Sequence, residues 1–165
     1  DWPLIQFDLT TSPLPDECLD AAVLLNVFEH IEDDMLAMRQ LYRMIKKGGV
    51  AVIEVPAGPE LYDVYDKQLM HFRRYVSSQL RQRVAAAKLI PRRFSYAMTL
   101  LFPIVWIVRQ LGKMRKSEPK ASLMPVPDFA NRLLVSLLHA ENSIIRKLSL
   151  PFGVTVFCMA QRSLE

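Results

Sequence analysis

From position 4 onward the chain alternates short apolar runs with polar, turn-forming stretches. Leu4-Ile5-Gln6-Phe7 is a brief apolar run closed by Asp8, which predicts a strand leading into a loop. Residues 10–17 carry Pro13, Pro15 and Asp16, all turn formers. Ala21-Ala22-Val23-Leu24-Leu25 is continuously apolar, the pattern of a central parallel strand over Leu19–Leu25 covered on both faces. From Asp33 the period lengthens. Met35, Met38, Leu41, Tyr42 and Ile45 recur at helical spacing, with acids Asp33 and Asp34 first and bases Lys46 and Lys47 last, complementing the helix dipole. Gly48-Gly49 is expected to stop that helix before a strand over residues 50–55. Strand, helix, glycine turn and strand within about forty residues predict a right-handed βαβ crossover.

Residues 56–75 form a long polar and aromatic segment. Residues 77–88 read as a helix with Leu80, Val84 and Ala87 on one face, and residues 92–97 as a strand. An apolar stretch over 98–108 precedes a polar linker over 113–127. An amphipathic helix follows over 128–148, through Phe129, Leu133, Leu134, Leu137, Leu138, Ile144 and Ile145. Residues 154–160 supply a final strand.

With 165 residues, 51% apolar and 23% charged, the chain suits one domain with a real core. The net charge of +4 comes without any nucleic-acid-binding motif, so no nucleic-acid partner is expected. Two cysteines, Cys18 and Cys158, lack metal-ligand neighbours and fit a reducing, cytoplasmic setting. The apolar residues 98–108 are too few to span a bilayer, which needs about 20. Together with Lys113, Arg115 and Lys116 they could lie on a membrane surface over 98–116, or simply cap the domain. The chain starts at Asp1, directly before a predicted strand, from which an upstream portion is expected.

Several motifs carry a resemblance. They are Phe7-Asp8 before the Pro-containing loop, Leu19-Asp20-Ala21-Ala22-Val23-Leu24-Leu25-Asn26-Val27-Phe28-Glu29-His30-Ile31, then Lys47-Gly48-Gly49 before a strand ending in Val55-Pro56-Ala57, and Asp66 followed by His71, Arg73, Arg74 and Tyr75. Their order resembles a class I S-adenosylmethionine-dependent methyltransferase of the small-molecule type, from its third strand onward. The resemblance implies an α/β, Rossmann-like sheet lacking its first strands, with a helical segment over 98–150 added before the last strand of a single partial domain, 1–165. The family strand order is 3-2-1-4-5-7-6, so the strand over Leu19–Leu25 should carry an unpaired edge able to pair with a second copy. None of the five glycines forms the G-x-G turn that would cradle the methionine end of the cofactor.

The same resemblance implies S-adenosylmethionine as cofactor and a small-molecule or lipid-linked acceptor. It assigns Asp8 and Leu9 to the adenine and Asn26 and Val27 to the cofactor pocket. Against this, Asp8 could merely start a turn and Asn26 cap a loop. Glu29 and His30 form the E-H pair, Glu29 facing substrate and His30 serving as a base, since an imidazole titrates near neutrality; both could instead order the loop. Arg73 and Arg74 could clamp an anionic acceptor group, the guanidinium fork suiting carboxylate or phosphate. His71 or Tyr75 could orient an acceptor hydroxyl. The alternative pairs Arg73 with Asp63 or Asp66 and puts Tyr75 in the core. His139, within the long amphipathic helix, is expected to be structural. A non-catalytic remnant serving assembly or peripheral membrane contact is the competing reading of the whole chain.

Overall fold

The computed structural model describes residues 3–114 and 127–165, with the side chains of 113 and 114 left aside. Four strands form one open sheet: β1 (Leu19–Leu25), β2 (Ile45–Pro56), β3 (Leu89–Ala97) and β4 (Thr155–Arg162). Helices α1 (Asp34–Met44), α2 (Val64–Gln68), α3 (Ser77–Ala86), α4 (Phe102–Met114) and α5 (Asp128–Ile145) connect them. The sheet order is β1-β2-β4-β3, which is the 4-5-7-6 end of the expected order.

Leu4-Ile5-Gln6-Phe7 is not a strand. A strand exists through its hydrogen-bonded neighbour, and among the described residues nothing pairs with this segment; Leu4 is 97% exposed. Among the described residues β1 has one neighbour, so its other edge is unpaired, as the expected strand order implies. It pairs with β2 in parallel and buries Leu24, while Val23 and Leu25 face outward at 65% and 56% exposure.

Helix α1 forms where its period predicts. The Asp33 side chain accepts the Leu36 N–H at 2.9 Å, and Ala37, Met38, Leu41 and Met44 turn inward. The helix ends before the glycines are reached, because Ile45 already belongs to β2. Gly48 and Gly49 serve a bulge instead. Pairing jumps from Leu19 with Ile45 to Ala21 with Val50, and Gly48 takes φ +77°. A Cβ on Gly49 would sit 2.8 Å from the Asp20 carbonyl oxygen.

The core lies on one face of the sheet. Ala51, Ile53 and Val55 of β2 and Val156, Cys158 and Ala160 of β4 are buried, and so are Met38 and Leu41 of α1 and Leu80 and Val84 of α3. Each large aliphatic side chain so buried contributes about 1.5–3 kcal/mol. β4 runs antiparallel to both its neighbours.

Helices α4 and α5 fall between β3 and β4. Pro103 sits in the first turn of α4, where its missing N–H costs nothing. Both helices expose large apolar groups, among them Ile104, Trp106 and Ile107 on α4 and Phe129 and Leu133 on α5. Glu141 of α5 accepts the Leu100 N–H at 2.9 Å. No described helix is long and apolar enough to cross a membrane. Most of the predicted polar linker, with Arg115 and Lys116, lies outside the described residues.

Candidate active site

Two parallel strands deliver their carboxyl ends to the same place, the usual ligand position of an open α/β sheet. Leu25 pairs with Glu54, and the Asn26 N–H donates to the Glu54 carbonyl at 2.9 Å. Asn26 takes φ +52°, a left-handed conformation that asparagine tolerates, and turns the chain off the sheet. A short 3-10 turn, Phe28–His30, follows at once. Phe28 and Glu29 are buried in it and His30 is exposed.

The segment after β2 returns to this turn. Asp63 and Asp66 form a capping box at the start of α2. The His71 N–H donates to the Asp66 carbonyl at 2.8 Å, and the Phe72 N–H to the Glu29 carbonyl at 2.7 Å. This stitching sets His71 beside His30, edge to face, with ring centroids 4.7 Å apart. His71 Nδ1 lies 2.9 Å from Asp66 Oδ1. A carboxylate only accepts, so Nδ1 carries the hydrogen and Nε2 of the neutral ring is left as an acceptor.

Asp66 is the hub of the segment. Besides His71 it receives Arg74 Nε at 2.8 Å, Arg109 Nη1 of α4 at 3.1 Å and the Asp63 N–H at 3.1 Å. Burial acts to raise its carboxyl pKa, but the contacts with His71 and Arg74 outweigh that and hold it below the ordinary value. Arg109 also pairs with Asp63, so α4 is tied to this loop.

A second hub is Asp34. Tyr75 donates its hydroxyl to Asp34 Oδ2 at 2.7 Å, Arg73 reaches the same oxygen at 3.0 Å, and Arg83 binds the other. Tyr75 is 1% exposed, and burial with Asp34 nearby pushes its phenol well above the ordinary value. Its hydroxyl is thus taken up by Asp34 and the Phe28 carbonyl. Arg73 pairs with Asp34 and with the Glu32 carbonyl, not with Asp63 or Asp66; Arg74 takes Asp66, and its Nη1 donates to the Ala57 carbonyl at 3.0 Å. Both guanidinium groups are thereby engaged by the protein itself.

Glu29 differs from all of these. Both carboxylate oxygens are buried without a hydrogen-bond partner, and burial raises the carboxyl pKa. Next to it opens a cleft of about 510 Å³, lined among others by Asp8, Thr10, His30, Glu32, Leu36 and Phe72. Asp8 reaches this cleft while starting a turn, its Oδ1 accepting the Thr10 N–H and hydroxyl, each at 2.8 Å. Those bonds lower its pKa and leave Oδ2 outside them. Leu9 packs against the core, and neither Leu9, Asn26 nor Val27 lines the cleft.

The structure thus brings Glu29, His30 and His71 together, puts Asp8 and His30 on the cleft, and pairs Arg73 and Tyr75 with Asp34 and Arg74 with Asp66. Sequence reasoning missed the central roles of Asp34 and Asp66. Asp34 reads as an ordinary first-turn acid. The three-residue spacing of Asp63 and Asp66 was the available signal for the second hub.

A family model described as "Methyltransferase domain" matches residues 2–53. No curated protein matches the chain. Among solved structures, an S-adenosylmethionine-dependent methyltransferase of Thermotoga maritima superposes with TM-score 0.58 at 15% identity, over 96% of this chain and 63% of its own. The cyclase SpnF superposes with TM-score 0.56 at 17% identity, over 96% of this chain and 55% of its own. A phosphoethanolamine N-methyltransferase of Haemonchus contortus, bound to S-adenosyl-L-methionine, gives TM-score 0.54 at 17% identity, over 94% of this chain and 36% of its own. The chain spans less than two thirds of the length of each of these structures, and at such identities the likeness concerns the fold.

Proposed function

We propose that this chain, whose sheet and family match are those of class I S-adenosylmethionine-dependent methyltransferases, forms the acceptor-side wall of a methyl-transfer site for a small-molecule or lipid-linked acceptor. The observation that carries the reading is the cleft at the carboxyl ends of β1 and β2, lined by Asp8 and by His30, against whose ring His71 packs. S-adenosylmethionine, when bound, supplies an electrophilic methyl group on a sulfonium.

The residues present suit the adenine side of that cofactor. Asp8 Oδ2 is outside the turn it caps and can accept from an exocyclic amine. Nothing among the five glycines suits the methionine end. Methyl transfer is an in-line displacement in which the protein mainly positions two reactants and takes up the acceptor's proton. His30, exposed on the cleft, and His71, with Nδ1 held by Asp66, are the groups able to take that proton. Arg73, Arg74 and Tyr75 act by holding the loop that carries His71. The apolar faces of α4, which Arg109 ties to the same loop, and of α5 support a lipid-linked acceptor over a fully polar one. The open edge of β1 supports pairing with a second copy.

Calorimetric titration with S-adenosylmethionine tests the reading. Residues 1–165 alone are expected to bind weakly or not at all, and supplying a glycine-rich turn upstream of Asp1 is expected to give saturable 1:1 binding that weakens in Asp8→Ala. Tight binding by residues 1–165 alone, or equal binding by the variant, overturns it.

A further inference from the structure

We propose that Glu29, His30 and His71 form a binding site for one divalent transition-metal ion of the zinc, cobalt or manganese kind. One carboxylate oxygen and one nitrogen from each imidazole lie within 4.8 Å of one another. Mixed imidazole and carboxylate donors suit these borderline ions better than magnesium or calcium.

The second, independent observation is the state of Glu29. Its residue is 0% exposed, and both oxygens lack any hydrogen-bond donor. A buried carboxylate left so is strongly unfavourable, and nearly all such groups in folded proteins have a partner. One oxygen of Glu29 lies within 4.8 Å of a ring nitrogen of each histidine. A cation between them satisfies the carboxylate and uses the imidazole lone pairs in one step.

The third is the fixed presentation of His71. Its Nδ1–H is held by Asp66, whose own oxygens are fixed by Arg74 and Arg109. A carboxylate behind a histidine, setting its tautomer and ring orientation, is the usual outer support of a metal ligand. The support presents Nε2 as the free donor, and the Phe72 N–H to Glu29 carbonyl bond binds the two ligand segments together.

Metal–ligand bonds of about 2.0–2.2 Å place neighbouring donors about 3.3 Å apart, so separations that all lie within 4.8 Å need to close by at most about 1.5 Å. His30 can supply that movement, since its side chain is exposed. Three protein ligands leave coordination positions open. His30 also lines the cleft, so an exchangeable ligand would reach the ion from that side. With an ion bound, the two imidazoles act on that ligand through the metal rather than as free bases.

The proposal does not rest on the methyl-transfer reading, and its test contains no S-adenosylmethionine. The full chain, stripped with a chelator, is titrated with Co²⁺ and followed by visible absorption and calorimetry. One equivalent is expected to bind saturably, and Zn²⁺ to displace it. His71→Asn and Glu29→Gln should each weaken binding at least tenfold, with folding checked by circular dichroism. Should the buried Glu29→Gln fail to fold, His30→Asn, at an exposed side chain, carries the test and should weaken binding likewise. Absence of one-equivalent binding, or binding that is unchanged in both His30→Asn and His71→Asn, overturns the proposal.

Discussion

Asp66→Asn is the most searching single change for the loop that brings His71 to the cleft. The carboxylate is 0% exposed and receives four donors: His71 and Arg74 on Oδ1, Arg109 and the Asp63 N–H on Oδ2. An amide keeps the shape but sets its own N–H₂ against one of those pairs, whichever way it turns. Arg74 suffers most. Its side chain is 4% exposed, and without Asp66 it retains only the Ala57 carbonyl among these contacts. Removing one partner of a buried ion pair costs about 3–5 kcal/mol, because the other charge stays buried. Arg109 keeps Asp63 and softens the loss, so about 3 kcal/mol is the working figure. For a domain of this size that lowers Tm by on the order of 10 °C.

The charge also predicts a pH signature. Asp66 has a folded-state pKa below the ordinary value of 3.8, so its contribution is present above that value and is lost as pH falls through the folded pKa. The gap in Tm between the wild type and Asp66→Asn should therefore be widest near neutrality and shrink as pH falls below 3.8. Circular-dichroism melts across a pH series measure both effects. A neutral-pH difference of less than about 3 °C, equivalent to about 1 kcal/mol, or a gap that persists unchanged in acid, would refute the account of Asp66 as a charged hub.

Two further predictions concern packing. Tyr75→Phe deletes a buried hydroxyl bonded to the Asp34 carboxylate and should cost about 1.5–2 kcal/mol in urea unfolding. Any methyl-transfer activity should scale with the folded fraction, and a collapse of kcat at unchanged stability would instead put the phenol in the chemistry. Gly153→Ala places a Cβ 2.2 Å from the Ala97 carbonyl oxygen, a backbone atom that also accepts the Val154 N–H, so the strand entry must shift. A loss of about 1–3 kcal/mol is expected, and an unchanged urea midpoint would show that this approach is relaxed.

The amino-acid pattern by itself determined the local elements with strong periodicity. The helical recurrence of Met38 and Leu41, the acids at the start of α1 and the apolar runs of β1, β2 and β4 are each consequences of neighbours in sequence, and they appear where they were expected. The βαβ crossover was readable from the pattern, and the order of the remaining strands came with the family resemblance that the motifs carry. Of the candidate site residues, Asp8 and His30 line the cleft, and Glu29 and His71 lie beside His30.

Tertiary structure decided what depends on a distant partner. Leu4-Ile5-Gln6-Phe7 has strand composition but no neighbour to bond with, and β1 has a central strand's sequence but an edge strand's position. Gly48 and Gly49 follow the last turn of α1 in sequence, yet their work is a bulge against the residues around Asp20. Arg73, Arg74 and Tyr75 look alike as candidate substrate groups until the fold shows Asp34 and Asp66 claiming them. A residue's spacing reports which face it shares with its neighbours along the chain. Whether its charge or hydroxyl is free for chemistry depends on which groups, tens of residues away, are packed against it.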